Sequence, residues 1–183
     1  MLNLNFNPFP ILTTERLILR QFTYDDAPDL FEVRSNADIM QYIARPLAKT
    51  VDDAVDLIKV INGLLSNNNG ITWCISLKND QRFIGSIGFW RIEKENYRAE
   101  IGYLLNPAYQ GAGLMQEAID AVIPHGFGSM NLHTIQANVN PGNAASIKLL
   151  EKNNFMREGY FKEDHFYNEA FADTAIYTLL TKK

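Results

Sequence analysis

Tyr109-Gln110-Gly111-Ala112-Gly113-Leu114-Met115 is the stretch on which the fold turns. Upstream of it, Ala99 to Leu105 is rich in β-formers and is stopped by Pro107. Downstream, Leu114, Met115, Ala118, Ile119 and Val122 share one apolar helical face. The stretch is therefore a strand-to-helix turn. Without Cβ atoms, Gly111 and Gly113 let the backbone bend sharply and approach a ligand closely. The unpaired N–H groups and positive dipole end of a helix start favour phosphate oxygens, so a pyrophosphate suits such a cradle. Turn geometry alone produces the same glycines, and both readings stand at this point. A dinucleotide fingerprint does not fit, because the position three after Gly113 is Gln116 and the glycines do not follow the first strand. A Walker A loop is excluded because no Gly-Lys-Ser/Thr follows.

Outward from the turn, the pattern stays regular. Thr134 to Val139 reads as a strand, and Asn143 to Asn153 as a helix with Ile147 and Leu150 inward. Strand, helix, strand, helix from Ala99 to Asn153 makes a βαβα unit with parallel strands. Before it, Ile71–Leu77 and Arg82–Arg91 form a hairpin around Lys78-Asn79-Asp80-Gln81, and Ala99 to Leu105 completes an antiparallel meander. The first third begins with a Pro-containing leader and a strand over Arg16 to Phe22. Helices follow, opened by the capping pairs Thr23/Asp26 and Thr50/Asp53, with a short helical piece around Asp38 to Tyr42 between them. Strands near Met156–Tyr160 and Thr174–Leu180 close a mixed sheet. The pattern shows no repeat, linker or low-complexity tract, so residues 1–183 are expected to form one α/β domain.

Composition narrows the function. The net charge of −4, from 17 Lys plus Arg against 21 Asp plus Glu, leaves no electrostatic footprint for sequence-independent nucleic-acid binding. The single cysteine, Cys74, precludes an intramolecular disulfide framework and suits a reducing compartment. Met1 to Pro10 lacks Lys and Arg and is interrupted by Asn5, Asn7, Pro8 and Pro10, unlike a signal or transit peptide. The apolar runs are too short to span a bilayer. A cytoplasmic protein with no membrane partner is expected.

Five ordered segments then resemble the RimJ/RimL-type branch of the GNAT N-acetyltransferases. These are Thr14-Glu15-Arg16-Leu17-Ile18-Leu19-Arg20 with Asp25-Asp26-Ala27; Ile84-Gly85-Ser86-Ile87-Gly88; Ala99-Glu100-Ile101-Gly102-Tyr103; Tyr109-Gln110-Gly111-x-Gly113; and Asn143-x-x-Ser146-x-x-Leu149-Leu150-Glu151-Lys152-x-x-Phe155. The resemblance implies a mostly antiparallel sheet with a parallel βαβα cofactor unit and helices on both faces. It implies acetyl-coenzyme A as co-substrate, no metal, and direct transfer to a primary amine in a ternary complex. Gln110, Gly111, Ala112, Gly113, Leu114 and Met115 would bind the pyrophosphate through backbone N–H groups. The strand through Tyr103, Leu104 and Leu105 would pair with the pantetheine arm, and Asn138 and Asn143 would line the slot beside it. Two departures matter. Met115 replaces a small residue, and Leu150 stands where many relatives carry the tyrosine that protonates the leaving thiolate. In the branch resembled here a serine at the position of Ser146, one turn earlier on the same helix face, takes that place.

Acetyl transfer to an amine requires removal of a proton, since aliphatic amines are protonated near neutral pH. Glu100, on the strand beside the expected thioester, is the candidate base; its structural alternative is a salt-bridged strand glutamate with Arg98 nearby. Backbone N–H groups near Tyr103 to Leu105 are candidate oxyanion donors. Ser146 is the candidate proton donor or water-ordering group, against a role only in hydrogen-bonding the coenzyme sulfur or the helix backbone. Cys74, among Trp73, Ile75 and Leu77, reads as a buried inert thiol. His125, His133 and His165 lack metal-ligand spacing. Trp73, Phe89 and Trp90 read as sheet-face packing with one aromatic free to border an acceptor cleft, and Tyr160 or Tyr167 is a reserve donor. The acceptor, a protein N-terminus or a small amine, is not specified by any motif. A non-catalytic acyl-coenzyme A sensor on the same fold would keep the glycine loop but need neither Glu100 nor Ser146. A nucleotide-binding protein would prefer ATP or NAD. Homodimerisation through the closing strands is the expectation from the family.

Overall fold

The computed structural model describes residues 1–167 and 169–181. Its strands are β1 (Leu12–Thr13), β2 (Leu17–Arg20), β3 (Ile71–Leu77), β4 (Asp80–Glu93), β5 (Arg98–Leu105), β6 (Thr134–Val139), β7 (Met156–Tyr167) and β8 (Ala170–Leu180). They form one sheet in the order β1-β2-β3-β4-β5-β6-β8-β7. Among the described strands only β5 and β6 pair in parallel, and α4 makes the crossover between them. The helices are α1 (Ala27–Arg34), α2 (Ala37–Met40), α3 (Val51–Ser66), α4 (Leu114–Phe127, the crossover) and α5 (Ala144–Lys152).

Both expected caps are present. The Thr23 N–H donates to Asp26 Oδ2 at 2.8 Å, and the Thr50 N–H donates to Asp53 Oδ2 at 3.0 Å. Asp26 also receives a forked contact from Arg20, at 2.8 and 2.6 Å, so the start of α1 is fixed to β2 by a largely buried ion pair.

The alternation of β3 divides the interior between the two sheet faces. Ile71, Trp73 and Ile75 join Leu114, Ala118, Ile119, Val122 and Leu150 on the α4/α5 side. Cys74 joins Leu30, Val33, Ala54 and Ile58 on the α1/α3 side. Helices therefore cover both faces, as the resemblance implied.

Three boundaries differ from expectation. The first strand covers only Leu17–Arg20 of the Arg16–Phe22 run. The residues before it are more than a leader: Leu2, Leu4 and Phe6 are buried in the α4-side core, and the Leu2 N–H donates to the Lys94 carbonyl. The closing strands are far longer than Met156–Tyr160 and Thr174–Leu180, because β7 and β8 continue as a paired hairpin from Met156↔Thr178 to Tyr167↔Ala170.

Candidate active site

The parallel pair opens into a fork. Pairing runs Arg98↔Thr134, Ala99↔Ile135 and Glu100↔Gln136, and stops there, although β5 continues to Leu105 and β6 to Val139. On its other side β5 stays in register with β4 from Gly102↔Gly88 to Leu105↔Gly85. The edge of β5 from Ile101 to Leu105 that faces β6 thus has no strand partner, and unpaired main-chain donors and acceptors line one wall of the slot. At its far end the Gln110 amide donates to the Leu105 carbonyl at 3.0 Å and fixes the entry to the glycine turn.

In that turn Gly111 and Gly113 have φ of +76° and +77°. Gly113 is the N-cap of α4, and its left-handed conformation is open to glycine without the steric cost that a side chain would incur. Among the described residues, chain neighbours aside, no heavy atom lies within 4 Å of an imagined Cβ at Gly111, and at Gly113 the only one within that range is Arg16 Nη2 at 3.7 Å. The space over the helix start is open, as a phosphate-sized anion requires. Leu114 and Met115 turn inward into the core, so Met115 contributes no bulk to this surface.

Strand alternation sorts the polar residues. Ile101 and Leu105 belong to the α4-side core and Tyr103 packs against it, whereas Leu104 packs on the α1/α3 side. Glu100 and Gly102 share the face of Leu104. There Glu100 Oε2 receives Arg91 Nη1 at 2.9 Å and Asn138 Nδ2 at 3.1 Å, and Asn138 Oδ1 receives Gln136 Nε2 at 2.9 Å. The ion-pair partner is therefore Arg91 and not Arg98, which pairs with Glu93 instead. The cause is an irregularity in β4 between Trp90 and Glu93, where Arg91 takes φ +47° and swings towards the carboxylate. Trp90, opposite Glu100 in register, lies over Gly102 so closely that a Cβ there would stand 2.2 Å from the indole. Trp90 is partly exposed, unlike the fully buried Trp73 and Phe89, and borders the Glu100 side of the slot.

On the opposite face, the Tyr103 hydroxyl and Ser146 Oγ are 2.7 Å apart and join β5 to the first turns of α5 across the fork. Asn143 caps α5 by accepting from the Ser146 N–H at 3.1 Å. Leu150 shares this helix side with Ser146 but is wholly buried in the core. Burial pushes the Tyr103 phenol up to about 12, so it stays protonated across the physiological range. Sequence reasoning placed Tyr103 here for its backbone alone; the alternation of β5 is the signal that its side chain shares the face of α5. Asn138 and Asn143 lie by the slot, the first on the Glu100 face and the second at the start of α5. The reserve donor Tyr160 is committed elsewhere, its hydroxyl donating to Asp173. Cys74 is buried, and desolvation pushes its thiol up to about 12. Among the described residues no group of three or more His, Cys, Asp or Glu side chains is placed to hold a metal ion.

A parallel strand pair forked beside a glycine-lined helix start is the arrangement that the resemblance to the acetyltransferases implies. The chain belongs to the GNAT acetyltransferases: the family described as Acetyltransferase (GNAT) domain matches residues 16–156. It is 35% identical over 172 residues to the uncharacterized N-acetyltransferase YoaA of Bacillus subtilis, covering 94% of this chain and 97% of that one. It is 31% identical over 128 residues to the ribosomal-protein-serine acetyltransferase of Escherichia coli, covering 69% and 72% respectively. Among solved structures, a GNAT-family acetyltransferase from Bacillus anthracis superposes with a TM-score of 0.83 at 30% identity over 93% of this chain and 98% of that one. RimL, a ribosomal L7/L12 α-N-protein acetyltransferase in complex with coenzyme A, shares the fold with a TM-score of 0.85 at 22% identity, covering 93% and 98%. The protein is an acetyltransferase of RimJ/RimL-like kind.

Proposed function

We propose that the protein, as one domain over residues 1–183, transfers an acetyl group from acetyl-coenzyme A to a primary amine, either a protein N-terminus or a small amine, by direct attack in a ternary complex. One observation carries this reading: β5 parts from β6 immediately after Glu100, so an unpaired strand edge runs from a carboxylate at the fork to a glycine-lined helix start. Acetyl-coenzyme A supplies the reactive thioester. Within the Gln110 to Met115 turn, the Gln110 main-chain N–H donates to the Pro107 carbonyl, so the backbone N–H groups from Gly111 to Met115 hold the pyrophosphate, and the free edge of Tyr103, Leu104 and Leu105 receives its pantetheine amides. Asn138 and Asn143 border the same slot.

Glu100 takes the proton from the amine on the Trp90 side, held in place by Arg91 and Asn138. Ser146, with Tyr103 behind it, faces the sulfur from the other side and donates a hydrogen bond to the departing thiolate. A phenol at about 12 is too weak an acid to surrender its proton outright, so the pair serves by hydrogen bonding while solvent completes the transfer. The buried free thiol of Cys74 supports a cytoplasmic setting, and the exposed aromatic residues Phe161, Phe166 and Phe171 on the edge hairpin support assembly with a second copy.

The test is calorimetry with acetyl-coenzyme A, coenzyme A and ATP, followed by a thiol-release screen against peptide N-termini, polyamines and aminoglycosides. Tight acyl-coenzyme A binding with release that depends on one acceptor class is expected. No binding of acetyl-coenzyme A would overturn the assignment, and binding without acceptor-dependent release would reduce it to a sensor.

A further inference from the structure

Beside the glycine turn, residues about a hundred positions apart in the chain converge. The Arg16 main-chain N–H donates to Glu117 Oε1 at 2.7 Å, and Arg16 Nε donates to Glu117 Oε2 at 2.7 Å. The Thr14 hydroxyl donates to the same Oε1. Arg16 Nη1 reaches over the turn and donates to the Ala112 carbonyl at 2.9 Å. Burial pushes the Glu117 carboxyl up, but the bonds from Thr14 and Arg16 outweigh it and hold the carboxyl below its usual range, so it is a fixed negative anchor.

The guanidinium is thereby locked in plane with one nitrogen unused. Arg16 Nη2 makes no hydrogen bond to any described residue and stands 3.7 Å from the position of a Cβ on Gly113, at the mouth of the cradle. An arginine is an unfavourable neighbour for a helix N-terminus, where the dipole is already positive. Glu117 has both oxygens engaged and offsets only one of the two positive sources. The excess positive charge, on a guanidinium that is 45% exposed, is what an anionic phosphate group would neutralise.

We propose that Arg16 is a pyrophosphate ligand of the coenzyme, donating from Nη2, and that Glu117 is its positioning residue. The proposal rests on the assignment of Gln110 to Met115 as the coenzyme loop. Fixing the Ala112 carbonyl also directs that peptide's oxygen at Arg16, leaving the N–H side of the turn for phosphate.

The experiment compares the full-length wild type, Arg16→Ala, Arg16→Lys and Glu117→Gln. Coenzyme A affinity is measured by calorimetry, pantetheine affinity by ligand-observed NMR, and stability by urea unfolding. Arg16→Ala is expected to weaken coenzyme A about 10- to 100-fold, the loss typical of a charge-assisted phosphate contact, while leaving pantetheine affinity at the wild-type value. Glu117→Gln should follow it with a smaller loss, and Arg16→Lys, which keeps the charge but not the fork, should recover part of the affinity. Unchanged coenzyme A affinity in Arg16→Ala would overturn the proposal, as would an equal loss for both ligands, which would mean that Arg16 acts through the fold. If Arg16→Ala does not fold, Arg16→Lys decides the matter by the same comparison of the two ligands. A wild type that fails to bind coenzyme A would overturn the loop assignment itself, a result separate from the variants.

Discussion

Replacing Gly113 by alanine separates what the turn costs the fold from what it gives the ligand. An L-residue at φ +77° carries about 1–2 kcal/mol of backbone strain. Alanine returns about 0.4–1 kcal/mol by stiffening the unfolded chain. No steric penalty is added, because the sole neighbour of the new Cβ is the end of Arg16 at 3.7 Å, an ordinary contact distance. The net destabilisation is about 1 kcal/mol, a fall in Tm of about 2–4 °C for a chain of this size. Ligand binding should suffer far more. The methyl would occupy the open space through which the phosphate approaches the helix N–H groups, and each lost charge-assisted bond is worth about 1.5–3 kcal/mol. Coenzyme A affinity should therefore drop at least about tenfold, with Gly111→Ala behaving similarly since its Cβ also projects into open space. Thermal unfolding without ligand and calorimetry with coenzyme A measure the two terms. If both variants lose about 1 kcal/mol of stability yet bind coenzyme A like the wild type, the glycines serve turn geometry alone and the cradle argument fails.

Other perturbations probe the two sides of the slot and the core. Glu100→Gln should lower kcat about 100-fold or more, the usual range for a general base, with acetyl-coenzyme A affinity retained; unchanged turnover between about pH 6 and 9 would remove Glu100 from the chemistry. A double-mutant cycle of Tyr103→Phe and Ser146→Ala, read by urea unfolding, should show a coupling of about 0.5–1.5 kcal/mol from their 2.7 Å contact, and strict additivity would show that the bond is not made in solution. Cys74, with its thiol pushed up to about 12, should resist a thiol reagent at pH 8 until urea unfolds the chain; rapid labelling of native protein would contradict its burial. His125 packs edge-on against Trp73 at 5.4 Å, and desolvation lowers its pKa below the ordinary 6.5. Its neutral form is thus favoured by folding, so its contribution is complete above about pH 6.5 and is lost as pH falls through the depressed value. Stability should decline more on acidification from pH 7 to 5 in the wild type than in His125→Phe, and parallel pH profiles would refute this.

The meander, the βαβα unit and both capping boxes were legible because each carries strong periodicity or a local hydrogen-bonding signature. Other features were obscured for identifiable reasons. Leu2, Leu4 and Phe6 alternate with Asn3, Asn5 and Asn7, a period-two signal for a half-buried extended segment, but Pro8 and Pro10 beside it suggested a leader. In β7 most side chains are exposed on both faces, so no alternation marks its length, and pairing with β8 extends it instead. The Arg91–Glu100 pair depends on a bulge with a positive φ, which shifts register by an amount that no residue type announces. The contact between Tyr103 and Ser146 spans 43 positions and two elements, and only the fold brings them together.

These placements bear on how the proposed reaction is divided. Glu100, Arg91, Asn138 and Trp90 occupy the α1/α3 face of β4, β5 and β6, while Tyr103, Ser146 and the glycine turn belong to the α4/α5 side. A carboxylate that must accept a proton and a hydroxyl pair that must stabilise an emerging thiolate would interfere if they shared a pocket, since the carboxylate would repel the thiolate and bind the hydroxyls itself. Placing the sheet between them removes that conflict, and in the proposed reaction the fork past Glu100 and Gln136 would be the passage through which nucleophile and thioester meet. In the proposed reaction the acceptor would enter past α1, α2 and α3, away from the turn proposed to hold the coenzyme. Substitutions between Asp25 and Ser66 should accordingly alter which amine is acetylated while leaving coenzyme A affinity unchanged, and a variant in that segment that lost both together would show that the two faces are not independent.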